Sequence, residues 1–91
     1  MTKEDILAYL KEQKKEFAKK YGVEKIALFG SYAREDSDID IVIAMPPKYS
    51  YLFNLKEELE EALQKRVDVI RLRESMNHYL KRRIDKEAIY V

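Results

Sequence analysis

"LFGSYAREDSDIDIVI", residues 28–43, is the stretch that decides how this chain folds. Two apolar runs meet across a glycine–serine pair, and the second run carries Asp38 and Asp40 inside it. An aspartate in a strand costs stability unless something pairs with it. Side chains alternate across a strand, so Asp38 and Asp40 project from one face while Ile39, Ile41 and Ile43 project from the other. That spacing sets the two carboxylates about 7 Å apart at their Cα atoms. Like charges so close repel, and a divalent cation relieves them. Paired hard oxygen ligands, completed by water and phosphate oxygens, describe a magnesium site.

Working outward, "RVDVIRL" at residues 66–72 repeats the pattern. Val67 and Val69 point one way and Asp68 the other, so a neighbouring register would bring Asp68 to the same face. Three carboxylates around one or two Mg²⁺ ions can clamp the attacking and leaving oxygens of an in-line phosphoryl displacement. Gly30 lets the backbone approach a ligand closely, and the amides after it, with the Ser31 hydroxyl, can cradle phosphate oxygens. Arg34 adds a cationic contact to the same phosphates. Each element has a plainer reading alone. Gly30-Ser31 reads as a turn, residues 37–40 as a helix cap running into a strand, and Asp68 as a solvent-facing residue on an edge strand. Only a bound cation explains the aspartates and the glycine–serine turn together.

The rest of the chain bounds the reading. Its 91 residues predict one domain, 1–91, with a single core. With 18 basic and 17 acidic side chains the net charge is +1, so no global field favours nucleic acid or an anionic membrane. No cysteine is present, which excludes disulfides and thiolate metal sites. The longest apolar run, 39–45, is too short to span a bilayer and is interrupted by Asp40. A cytoplasmic protein is expected.

The periodicity predicts the order α-β-β-α-β-α-β. Thr2 to Asp5 resembles a capping box, and Ile6, Leu10, Phe17 and Tyr21 make one helical face that Gly22 ends. Strands follow at 25–29 and 38–44, the second stopped by Pro46-Pro47. A helix is expected from about Tyr51 to Gln64, with Leu52, Leu55, Leu59, Ala62 and Leu63 on one stripe. Then come a strand at 66–72, a helix at about 75–84 and a closing edge strand at 88–91. The fold class is α+β, one mixed sheet with helices packed on it, and the first two strands are antiparallel neighbours.

With these residues assembled, the chain resembles the minimal nucleotidyltransferase (MNT) family of the polymerase-β-like superfamily. The resemblance rests on Gly30-Ser31, Ala33-Arg34, Ser37-Asp38-Ile39-Asp40 and the isolated Asp68, and it spans nearly the whole chain. It implies the nucleotidyltransferase fold and transfer of a nucleoside monophosphate, usually AMP from ATP, with Mg²⁺. It also implies that Asp38, Asp40 and Asp68 bind metal and are catalytic, Asp68 helping to deprotonate the acceptor hydroxyl. Gly30, Ser31 and Arg34 would hold the triphosphate. Stand-alone members are commonly antitoxins, partnered by an all-helical HEPN-domain ribonuclease and in some cases attaching AMP to its tyrosine. A hetero-oligomer with such a toxin is therefore expected. One departure is that only Glu35-Asp36 separate Arg34 from Ser37, fewer residues than the family carries there.

A second function stays open: a non-catalytic antitoxin that neutralises its toxin by complex formation. A third is modification of a small molecule or an RNA end, for which larger relatives carry extra domains. Glu35 and Asp36 read as solvent-exposed turn residues. Tyr49 and Tyr51 fall in an expected loop after Pro46-Pro47, where they could stack on adenine or pack in the core. His78 and the basic cluster 80–83 read as a solvated helix end, with no nucleic-acid motif beside them.

Overall fold

The structure is a computed structural model that describes residues 2–29, 38–73 and 75–91. Its elements run α1 (Lys3–Tyr21), β1 (Lys25–Phe29), β2 (Ile39–Ala44), α2 (Tyr49–Leu63), β3 (Val67–Arg71), α3 (His78–Glu87) and β4 (Ile89–Tyr90). The predicted order holds. Strand order in the sheet is β3-β2-β1-β4, with β1 antiparallel to both β2 and β4 and with β2 parallel to β3. The parallel pair needs a crossover, and α2 supplies it.

Helix α1 forms where its ends are satisfied. The Asp5 N–H donates to Thr2 Oγ1 at 3.2 Å, and the Thr2 N–H donates to the Asp5 carboxylate at 2.9 Å. This reciprocal pair pins the first turn. At the other end Gly22 takes φ 69°, and its N–H donates to the Ala18 carbonyl at 3.0 Å. Only glycine adopts this conformation without a steric penalty.

Two cores clamp the sheet. On one face Ile6, Leu10 and Phe17 of α1 and Leu55, Leu59 and Leu63 of α2 pack on Ile26, Leu28, Ile39, Ile41, Ile43 and Val67. On the opposite face Ile84 of α3 and Met76, just before that helix, cover Ala27, Phe29 and Val42. Ile39, Ile41 and Ile43 are fully buried, as the alternation predicted.

Several boundaries differ from the sequence reading. β2 begins at Ile39, leaving Asp38 immediately before it, and β3 is a residue shorter at each end. α2 starts at Tyr49, so Tyr49 and Tyr51 lie in its first turn and not in a loop. Ala62 is exposed, off the buried stripe. α3 runs three residues later than expected because Asn77 caps it. The Asn77 side-chain oxygen Oδ1 accepts from the Tyr79 N–H at 2.8 Å and the Leu80 N–H at 3.4 Å. Met76 is buried from the turn before this cap. Among the described residues no helix is long and apolar enough to cross a membrane.

Candidate active site

The parallel register aligns Asp40 of β2 with Asp68 of β3. Paired residues of adjacent strands share a face, and this face is the one opposite Ile39, Ile41 and Ile43. Asp38 stands two residues before Asp40. Asp40 is half-buried, whereas Asp38 and Asp68 are exposed. The Asp40 carboxyl is pushed above the usual carboxylate range, first by burial, then by the charge of Asp68, then by that of Asp38. Each effect disfavours the ionised form. Asp68 and Asp38 therefore each lie within electrostatic reach of Asp40.

Among the described residues no group of three or more histidine, aspartate or glutamate side chains closes into a metal-holding cluster. Mg²⁺ does not need one. It commonly takes one or two carboxylates and leaves its other positions to water and substrate phosphates. Asp40 beside Asp68, with Asp38 two residues before it, offers hard-oxygen donors of that kind, and a cation would offset the like charges that, after burial, disfavour the ionised Asp40. These residues fit the cation.

Gly30, Ser31 and Arg34, expected to hold the triphosphate, lie outside the described residues, as do Glu35, Asp36 and Ser37. Phe29, the last described residue of β1, pairs with Asp40.

Beside the acids a cleft of about 570 Å³ is walled by Asp40 and Asp68 on the strands and by Tyr49, Phe53 and Lys56 of α2. A second cleft, of about 410 Å³, shares Tyr49, Leu52, Val69 and Ile70 with the first and runs on to Arg71 and Arg73. Sequence reasoning passed over Lys56 and Arg71 because single cations at unrelated positions carry no pattern. Only the β2–α2–β3 crossover brings them to one edge. The two tyrosines separate in role. Tyr51 packs edge-on against Tyr21, with ring centroids 6.0 Å apart, and the Lys48 ammonium sits 4.9 Å above its ring. Tyr49 is 89% exposed. His78 is exposed at the first position of α3. Within the basic cluster, Arg83 pairs with Glu87 at 3.2 Å and lies over the Phe29 ring at 5.6 Å.

The family described as polymerase beta, nucleotidyltransferase, matches residues 11–91. A provisionally named protein adenylyltransferase of Methanocaldococcus jannaschii is 41% identical over 98 residues, covering 99% of this chain and 98% of the relative. Protein adenylyltransferase MntA of Thermococcus cleftensis is 35% identical over 97 residues, covering 100% of this chain and 97% of that protein. Among solved structures, a provisionally named minimal nucleotidyltransferase is 28% identical with a TM-score of 0.70, over 91% of this chain and 93% of its own. A tri-AMPylated Shewanella oneidensis HEPN toxin in complex with MNT antitoxin gives a TM-score of 0.72 at 24% identity, over 98% of this chain and 71% of that one, which is a likeness of fold. The chain belongs to the polymerase-β nucleotidyltransferase family.

Proposed function

We propose that the chain transfers AMP from ATP, with Mg²⁺, to a tyrosine hydroxyl of a HEPN-domain toxin and so acts as its antitoxin. The observation that carries this reading is the alignment of Asp40 with Asp68 beside an open cleft, with the Asp40 carboxyl raised. Its further support is the naming of full-length relatives as protein adenylyltransferases. Fold neighbours that include an AMPylated HEPN toxin with its antitoxin and a toxin–antitoxin pair with AMP-PNP suggest the donor and the partner.

Asp38 and Asp40 would hold the cation, and Asp68 would take the proton of the acceptor hydroxyl. The acceptor oxygen bonds to the α-phosphorus while the bond from that phosphorus to the bridging oxygen breaks, and pyrophosphate leaves. Bound Mg²⁺ would neutralise charge on the phosphates. Gly30, Ser31 and Arg34 would orient the triphosphate. This chemistry asks the protein mainly for positioning and for charge compensation.

A second reading, a non-catalytic antitoxin, draws on the short Glu35-Asp36 connection and on the open arrangement of the three acids among the described residues. One experiment separates the two. The purified chain is incubated with α-labelled ATP, Mg²⁺ and a HEPN-domain protein from the same genome. Transfer of label that disappears in Asp38→Asn and Asp40→Asn supports catalysis. Neutralisation of the toxin that survives both substitutions, without label transfer, supports binding alone.

A further inference from the structure

β3 lies at one edge of the sheet among the described residues. Its ladder with β2 is anchored by the Ile39 N–H donating to the Arg66 carbonyl at 3.0 Å and the Leu72 N–H donating to the Ile43 carbonyl at 2.7 Å. Main-chain groups of a parallel strand turn to alternate sides. Asp68 and Ile70 therefore face β2, while Val67, Val69 and Arg71 turn theirs outward. The Val67 N–H is already taken by the Glu60 carboxylate at 3.1 Å. Among the described residues Val69 and Arg71 remain without a partner for these groups, and both line the joined clefts. Unpaired strand edges are templates for another strand, and proteins often blunt them with charge. Among the described residues lining the clefts, the charges are the cations Lys48, Lys56, Arg71 and Arg73 and, at one end, the acids Asp40 and Asp68, with the Glu60 carboxylate on the Val67 N–H. Between them Tyr49 and Phe53 are 89% and 61% exposed.

We propose that an extended acidic segment of the acceptor protein adds to β3 as a fifth strand, through Val69 and Arg71, and thereby places its hydroxyl residue at Asp40 and Asp68. Main-chain bonds supply the register and alternate pockets read the side chains, the usual division in strand addition. The cations match an acidic segment, and the cleft delivers one end of it to the carboxylates. This inference rests on the transferase reading for the role of that hydroxyl, but not for the docking.

The docking test omits nucleotide. The ¹⁵N-labelled full chain is titrated with a ten-residue peptide, a tyrosine followed by alternating valine and glutamate. Shifted Val69 and Arg71 amide resonances with slowed hydrogen exchange are expected. Affinity should fall at least tenfold when alternate peptide amides are N-methylated in the matching phase, and again in the exposed double variant Lys56→Glu/Arg73→Glu. Unmoved Val69 and Arg71 resonances at millimolar peptide would overturn the proposal, as would indifference to N-methylation in either phase. Equal shifts with a ten-nucleotide oligothymidylate would assign the groove to nucleic acid. Shifts that follow protein concentration alone would assign it to a second copy of the chain. Label transfer to the HEPN protein, assayed separately, keeps the two readings apart. Transfer undiminished in the double variant sinks the docking and leaves the transferase, whereas docking without transfer does the reverse.

Discussion

Asp40 faces opposed demands. In the protein alone its carboxylate is half-buried beside Asp68 and near Asp38, and its pKa is raised. Between its unfolded and its raised folded value the folded state binds more protons, so its contribution to stability declines as pH rises through that window. In chelator at neutral pH, Asp40→Asn should therefore melt higher than the parent, by the ~0.2–1 kcal/mol typical of facing like charges. The variant should also lose the decline between pH 4 and the raised value, which thermal melts across pH will show. The same substitution should lower AMP transfer at least a hundredfold. Asp68→Asn, at an exposed position, relieves the same pair, so it should melt no lower than the parent in chelator and still lose transfer, read by label incorporation at saturating ATP.

Elements were legible where both ends carry chemistry. α1 has its Thr2–Asp5 box and its Gly22 stop, and its predicted bounds hold. Thr2→Ala should cost about 1 kcal/mol in urea unfolding. The Asp5 carboxyl is held below its usual range by its hydrogen bonds to the Thr2 backbone and side chain. Its contribution is therefore present above the unfolded pKa and is lost as pH falls through the lowered folded value, and Thr2→Ala, which keeps the backbone donor, should shrink that acid limb only in part. Gly22→Ala should cost about 1–2 kcal/mol, because an alanine resists the left-handed backbone. Its Cβ would also stand 3.1 Å from Pro46 Cδ. α2 and α3 were less legible for stated reasons. Lys48 caps α2 without any side-chain bond, and exposed Tyr49 and Ser50 add nothing to the apolar stripe. At α3, buried Met76 mimics a helical position although it lies before the Asn77 cap.

At the scale of the molecule, the candidate site belongs to no single element. Asp38 and Asp40 are legible from one strand, and Asp68 from its alternation, but their meeting depends on a parallel register that sequence does not display. The groove cations were illegible for the same reason. If the acids await a metal nucleotide, Mg²⁺ with AMP-PNP at a hundred times its Kd should stabilise the chain by about 2.7 kcal/mol. EDTA should remove the rise in melting temperature that follows. Strand pairing also has a fidelity problem, since a slip of one residue turns every side chain to the other face. Shifted by one, β3 would drive Asp68 in among Ile39, Ile41 and the leucines of α2, where no partner waits. The acids thus proofread assembly: the charge that a nucleotide would later answer makes the misaligned sheet unaffordable while the chain is still folding.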